Sequence, residues 1–383
     1  MKSPAQTNSA QGCFCEENMT EKKKKTIMLT ITEYCNLSCT YCYEQNKSLK
    51  EMRFETAVEI LKRELTVNDG YDSCEIQFFG GEPFLNFDLL KKTCDYLWEQ
   101  EWPKQFICFA TTNGTLVHGE IQEWLLKNRD RFTCGLSLDG IKKAHDINRC
   151  NSFDDIDIDF FRTTWPNQFV KMTISPESLP FLSESVIYLH GLGFTIDNNL
   201  AYGVDWSRPE LLNQFEEQLR KLADYYIAHP AIEPCRLLGL HIENINTQER
   251  IPRWCGAGKG LKAYDAEGDL YPCQMFAPLS MDKERAIQAS TLDFMNIDME
   301  DPACKTCKIY NVCPTCYGHN YSTTGDISQR DKVLCEYTKA SILATSYLWA
   351  NRIIRYSINE LSISKQQYVQ LSIAVKTIQE CMR

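Results

Sequence analysis

Strand-like and helix-like segments alternate through the first two thirds of this 383-residue chain, and few architectures accept that order. The strand-like runs are Thr26 to Thr32, Cys74 to Phe79, Phe106 to Thr111, Phe132 to Leu138, Phe169 to Ile174 and Phe194 to Leu200. Helix-like stretches lie between them at Phe54 to Leu65, Asp88 to Glu99, Glu120 to Asn128 and Leu182 to Leu192. Alternation at this spacing predicts βαβ units around a parallel sheet. Parallel α/β folds place their chemistry where strands end, so the segments that follow these runs are the first places to look.

The first such segment holds Cys35, Cys39 and Cys42, spaced C-x3-C-x2-C after the apolar run Ile27 to Ile31. Three thiolates this close leave one iron of a cubane cluster without a protein ligand, open to a substrate or cofactor. A structural zinc site wants four ligands, and the nearest Cys and His downstream are Cys74 and His118. A disulfide framework needs an oxidising compartment, whereas 19 cysteines is an odd number. Lys22 to Lys25 before IMLTI has the charge of a signal peptide, but Glu33 interrupts the apolar run and no small-residue cleavage site follows.

The segment Cys35-Asn-Leu-Ser-Cys39-Thr-Tyr41-Cys42 resembles the cluster motif of the radical S-adenosylmethionine (radical SAM) enzymes, Tyr41 included. The resemblance implies a partial (β/α)6 TIM-like barrel of α/β class. It also implies a 4Fe-4S cluster whose open iron is chelated by SAM, and reductive cleavage of SAM to a 5'-deoxyadenosyl radical that abstracts hydrogen from a substrate. Gly80-Gly81-Glu82-Pro83, about forty residues on and at a strand end, resembles the family's SAM-binding motif. Two glycines let the backbone approach a ligand, and a carboxylate can accept from the SAM ammonium. Asn113, in Thr111-Thr112-Asn113-Gly114, ends the next run. Gly135-Leu-Ser137-Leu-Asp139-Gly140 ends the one after, with Arg149 twelve residues beyond Ser137. In the sulfatase-maturing relatives such a Ser and Arg hold the SAM carboxylate, which assigns that role to Ser137 and Arg149. Asp139-Gly140 also reads as a plain turn, and Arg149 as a solvated cation.

A second cysteine series runs through Cys255, Cys273, Cys304, Cys307, Cys313, Cys316 and Cys335. Alone, Cys304 to Cys316 reads as a zinc ribbon. After a radical SAM core it resembles a SPASM extension, which holds auxiliary 4Fe-4S clusters in enzymes that act on peptides and proteins. That likeness assigns Cys304, Cys307, Cys313 and Cys335 to an outer cluster and Cys255, Cys273 and Cys316 to an inner one, three clusters in all. The inner site then has either an open iron or a further ligand such as Cys13, Cys15 or Cys235.

Gln274 stands where sulfatase-maturing enzymes carry the Asp proposed as substrate base, and Gln is not a base. The run Cys313-Pro-Thr-Cys316-Tyr-Gly-His-Asn-Tyr321 resembles that of ribosomal-peptide maturases instead. The implied function is hydrogen abstraction from a ribosomally made precursor peptide and closure of a crosslink, carbon–carbon or thioether, with an auxiliary cluster taking the second electron. The implied partners are that peptide and a reductant such as flavodoxin or ferredoxin; with about 25 residues before the first strand, leader recognition falls to a separate leader-binding protein or to the core itself. Formylglycine formation in a sulfatase is the alternative. A non-enzymatic metal scaffold predicts neither the GGEP segment nor an open iron.

Composition fits a cytoplasmic enzyme: 43% of residues are apolar, enough to bury about three quarters of the unfolded surface. No apolar run reaches the roughly eighteen residues of a membrane span, and a formal charge of -10 disfavours nucleic-acid binding. The expected divisions are a flexible tail at 1–25, the barrel at 26–235, the auxiliary-cluster domain at 236–340 and terminal helices at 341–383. Amphipathic helices are expected at Leu211 to His229, Ala340 to Ser357 and Glu360 to Cys381. The other cysteines, Cys74, Cys94, Cys108, Cys134, Cys150 and Cys381, read as small buried hydrophobes.

Overall fold

The protein is described from a computed structural model covering residues 23–248 and 253–382. The expectations for Cys13 and Cys15 lie outside the described residues, as does nearly all of the segment 1–25. Six parallel-paired strands follow one another: β1 (Lys24–Thr32), β2 (Ser73–Gly80), β3 (Gln105–Thr112), β4 (Phe132–Leu136), β5 (Val170–Ile174) and β6 (Ile196–Leu200). Between and after them run α1 (Phe54–Thr66), α2 (Phe87–Trp98), α3 (Gly119–Asn128), α4 (Lys142–Asn148), α5 (Ile158–Thr164), α6 (Leu182–Gly191) and α7 (Pro209–Ala228). Every strand expected from sequence is present, with ends shifted by at most two residues. The short α4 and α5 were not legible, being too brief to show a period.

β1 is buried along most of its length, as a strand covered on both faces must be, and its run of Ile, Leu and Met supplies that surface. Its register sets Ile27 against Ile76 and Leu29 against Phe78, then slips between Thr30 and Thr32 so that Thr32 meets Gly80. Between β4 and β5 the ladder narrows to one bridge, Ser137 to Lys171, where Leu138 N–H donates to the Lys171 carbonyl at 2.9 Å. This is the partial barrel.

The chain beyond α7 returns to the same sheet. β7 (Leu261–Tyr264) pairs parallel to β1 on the side away from β2, and β8 (Leu270–Tyr271) pairs antiparallel to β7, giving the order β4-β3-β2-β1-β7-β8. Beneath this junction, at the N-terminal ends of the strands, lies a buried charge network. Lys25 Nζ donates to Glu64 Oε2 and Asp69 Oδ2, each at 2.6 Å. Tyr264 Oη donates to Glu64 Oε1 at 2.6 Å, Lys262 Nζ reaches Glu64 at 2.9 Å, and Lys104 pairs with Asp69.

The rest of the chain forms α8 (Lys283–Ser290), α9 (Tyr317–Thr324), α10 (Lys332–Arg355) and α11 (Lys365–Cys381). α10 starts eight residues before the expected Ala340 because Asp331 Oδ1 caps it, accepting from Val333 N–H at 2.8 Å. Cys335 therefore sits in its first turn. α11 starts at a Ser364–Gln367 capping box rather than at Glu360.

Packing crosses the divisions expected at 235 and 340. Tyr264, Tyr337, Ala340 and Leu348 join the barrel core, while Ile309, Val312 and Cys313 pack with Ile342 and Leu371. A third cluster gathers Tyr271, Cys273, Met275, Phe276 and Tyr317. Cys74, Cys94, Cys108 and Cys134 are buried as expected, but Cys150 is exposed, on a turn where it and Asn151 both have φ of 57°.

Candidate active site

The loop that carries Cys35, Cys39 and Cys42 is laid against the loop after β2. Gly81 N–H donates to Thr32 O at 3.1 Å, and Glu82 N–H to Tyr34 O at 2.9 Å. A Cβ on Gly81 would stand 2.3 Å from Tyr34 O and 2.8 Å from Cys35 Cβ, and one on Gly80, at φ +144°, 1.9 Å from Thr32 O. The expected role of these glycines, approach to a ligand, is thus joined by a structural one: they let two loop backbones touch. Pro83 follows, buried, in the first position of a short 3-10 turn capped by Glu82.

Glu82 is 1% exposed. Its Oε1 accepts from Thr112 Oγ1 at 2.8 Å and Phe84 N–H at 3.2 Å, and its Oε2 from Asn113 N–H at 2.8 Å. Burial pushes its carboxyl up to about 7 against the pull of these donors. Asn113 in turn donates through Nδ2 to Asn36 Oδ1 at 2.9 Å, inside the cysteine loop.

Asp139 is the hub of the opposite wall. Its side chain is fully enclosed, and Oδ2 accepts from Tyr41 Oη at 2.7 Å, Asn148 Nδ2 at 3.0 Å and Arg149 Nε at 3.0 Å. Oδ1 accepts from Thr173 N–H in β5 at 2.9 Å. The loop after β4, the end of α4, β5 and the cysteine loop are thereby tied to one carboxylate. Arg149 is buried rather than solvated. Burial opposes its charge, yet Asp139 holds it firmly cationic, and it lies 5.4 Å from the Tyr41 ring centre. Among the described residues its Nε alone bonds to protein, which leaves the terminal Nη donors for an anionic ligand. Beside the cysteines, Lys47 faces Cys42 and Cys35, and burial pushes the Cys35 thiol up to about 11.

The later cysteines gather in the two expected groups. Cys255, Cys273 and Cys316 lie near one another, with the Tyr202 hydroxyl beside Cys316. Burial pushes Cys316 up to about 11 against its bonds from the His319 and Gly318 amides. Tyr43, next to Cys42, reaches this group: its hydroxyl meets the Gln274 side chain, and its ring packs on the cluster around Cys273. Cys304, Cys307, Cys313 and Cys335 form the second group. Cys235, suggested as a further ligand of the inner group, is instead enclosed in the barrel core, its backbone N–H donating to Tyr226 Oη at 2.9 Å.

The donor sets fit iron–sulfur clusters better than single ions. A tetrahedral zinc with Zn–S near 2.3 Å brings sulfurs to about 3.8 Å of one another. Among the described residues, no three cysteine thiols lie within 4.8 Å of one another. Sequence reasoning missed Asp139, visible only as half of a turn signal, and Lys47, Tyr202 and Arg330, for which no pattern exists.

Comparison with known proteins follows the same lines. Residues 29–156 match the Radical SAM superfamily. The chain is 28% identical over 273 residues to the uncharacterized protein MJ0907 of Methanocaldococcus jannaschii, covering 67% of this chain and 87% of that one. It is 34% identical over 124 residues to the cysteine-type anaerobic sulfatase-maturating enzyme of Clostridium perfringens, a match spanning 30% of this chain and 32% of the enzyme. Against the radical SAM cyclopropyl synthase TigE of Paramaledivibacter caminithermalis, identity is 22% over 385 residues, covering 89% and 78%. Among solved structures, anSMEcpe with bound AdoMet and Cp18Cys peptide aligns with a TM-score of 0.64 at 19% identity, over 86% of this chain and 98% of that one. SuiB of Streptococcus suis bound to precursor peptide SuiA aligns at 0.54 and 17% identity, over 82% and 76%. These structures share the fold.

Proposed function

We propose that this protein, whose residues 29–156 match the Radical SAM superfamily, is a peptide maturase which closes an intramolecular crosslink, carbon–carbon or thioether, in a ribosomally made precursor. The observation that carries this reading is Tyr43. One residue from Cys42, it packs against the wall that holds Cys273, so the place where a radical would arise adjoins a second set of thiols that would hold an electron-accepting cluster.

In this reading Cys35, Cys39 and Cys42 hold the SAM cluster, which with SAM supplies a carbon radical that abstracts hydrogen. Glu82 and the 80–83 loop receive the SAM amino group, while Ser137 and Arg149 receive its carboxylate. Tyr41 and Asn113 fix the loop. Cys255, Cys273 and Cys316 hold an inner auxiliary cluster, and Cys304, Cys307, Cys313 and Cys335 an outer one. A flavodoxin or ferredoxin supplies reducing electrons. The domain organisation that serves this is a barrel with its auxiliary segment attached through β7.

Sulfatase maturation is the second reading, favoured by the Clostridium perfringens similarity. Gln274 is the feature against it, because an amide held by Tyr43 cannot take a proton from a substrate thiol or hydroxyl.

The test is anaerobic turnover with SAM, reductant and two substrates, a precursor peptide encoded beside the gene and a sulfatase-derived cysteine peptide. Loss of two hydrogens from the precursor, without a hydrazide-reactive carbonyl, is the expected result. A hydrazide-reactive product from the sulfatase peptide alone would establish the second reading.

A further inference from the structure

The outer cysteine group encloses a cation that the proposed chemistry has not used. Arg330, 7% exposed, lies between α9 and α10. Its Nη1 donates to Cys313 Sγ at 2.8 Å and to Cys313 O at 2.8 Å. The guanidinium carbon stands 5.1 Å from the Tyr310 ring centre, and Tyr310 meets Trp254 edge to face at 6.3 Å. Trp254 directly precedes Cys255 of the inner group, and its buried indole N–H has no partner among the described residues.

A neutral thiol is a poor reason to bury a full positive charge, since a buried cation needs an anion to offset its lost hydration. The nearby carboxylate, Asp301, does not serve: its Oδ2 accepts from the Arg330 backbone N–H at 2.9 Å and from Lys332 at 3.2 Å, and its Oδ1 from Ala303 N–H at 2.7 Å. What the guanidinium faces is the sulfur set of Cys313 and its neighbours, which is anionic once it ligates a cluster. Among the described residues, two cations lie near the inner group and neither donates to a cysteine sulfur: Arg253 Nη1 donates to Ala257 O at 2.8 Å, and Arg236 is half exposed and paired with Asp197 at 3.1 Å.

We propose that Arg330 is a positioning residue that raises the reduction potential of the outer auxiliary centre above that of the inner one. An N–H···S bond and an adjacent positive charge both favour the reduced state, which carries one more negative charge. The reduction potential then rises from the inner to the outer group, so an electron runs downhill that way along the Trp254–Tyr310–Arg330 contact. This inference rests on the iron–sulfur reading of the auxiliary cysteines given above.

The experiment uses the full-length chain with Cys35, Cys39 and Cys42 replaced by Ala, so that signals arise from auxiliary centres alone. Iron and sulfide are measured first, then midpoints by EPR-monitored redox titration, for this parent and for added Arg330→Gln and Arg330→Lys. One midpoint is expected to fall in Arg330→Gln by at least tenfold in the reduction equilibrium, about 59 mV for one electron, and by less in Arg330→Lys. Equal midpoints at equal iron content overturn the proposal. Should Arg330→Gln fail to load the outer centre, an unshifted Arg330→Lys overturns it and a lowered one supports it. A parent devoid of auxiliary iron would instead sink the cluster reading itself, and this inference with it.

Discussion

Tyr41 Oη donates to Asp139 Oδ2 at 2.7 Å, across 98 residues of sequence, and so ties the cysteine loop to the far side of the barrel mouth. The same oxygen takes Arg149 Nε at 3.0 Å. One carboxylate thus sets the position of the loop that would hold the cluster and the cation that would hold SAM.

Asp139→Asn is expected to separate these roles. It leaves Arg149 buried without its anion, a change that costs roughly 3–5 kcal/mol when one partner of a buried pair is lost. Thermal unfolding should drop accordingly, and SAM affinity should fall with it. A variant with unchanged melting and unchanged SAM binding would show that the ion pair has no such role.

Gly81→Ala tests the contact between the two loops. Its Cβ has to displace Tyr34 O, 2.3 Å away, and Cys35 beside it. Reconstituted protein should lack about four iron per chain relative to wild type, with the auxiliary content retained. Full iron content would mean that the loops separate without consequence.

Lys25→Met removes the cation shared by Glu64 and Asp69 beneath the sheet. Lys262 still serves Glu64, so the loss should lie near the lower end of about 3–5 kcal/mol. Chemical denaturation measures it, and a change below 1 kcal/mol would be too small for a buried pair of this kind.

Acid weakens the same network in a defined window. Asp69, desolvated but more strongly held by Lys104 and Lys25, is depressed from 3.8 to about 2. A depressed carboxyl contributes stability that is complete above its unfolded value and is lost as pH falls through the folded one. The stability difference between wild type and Asp69→Asn should therefore be constant above about pH 5 and shrink from pH 4 toward 2. Urea unfolding of the metal-free chain at graded pH checks this; a difference independent of pH would contradict it.

The barrel was legible because its strands are continuous apolar runs and its motifs sit at their ends. Cys35, Gly81 and Glu82 could be placed on loops before any coordinate was known. The start of α10 was not, because Asp331 acts as a cap only in the context of the turn that follows. Nor could Asp139 be told from a turn residue: its partners, Tyr41, Asn148, Arg149 and Thr173, come from three separate segments. Arg330 left no trace in the sequence, since a sulfur-facing arginine follows no spacing rule. The extension of the sheet by β7 escaped notice because four residues give no usable period.

That last strand has a consequence for how the molecule can be divided. With Leu261 to Tyr264 hydrogen-bonded along Thr26 to Leu29, the auxiliary segment is woven into the barrel's own sheet rather than tethered beside it. A barrel cut at residue 235 would present β1, buried along most of its length, as a bare edge ready to pair with another copy. It would also leave Glu64 without Tyr264 and Lys262. The two halves thus share one sheet, and the β1–β7 register helps set the spacing between their cysteine groups.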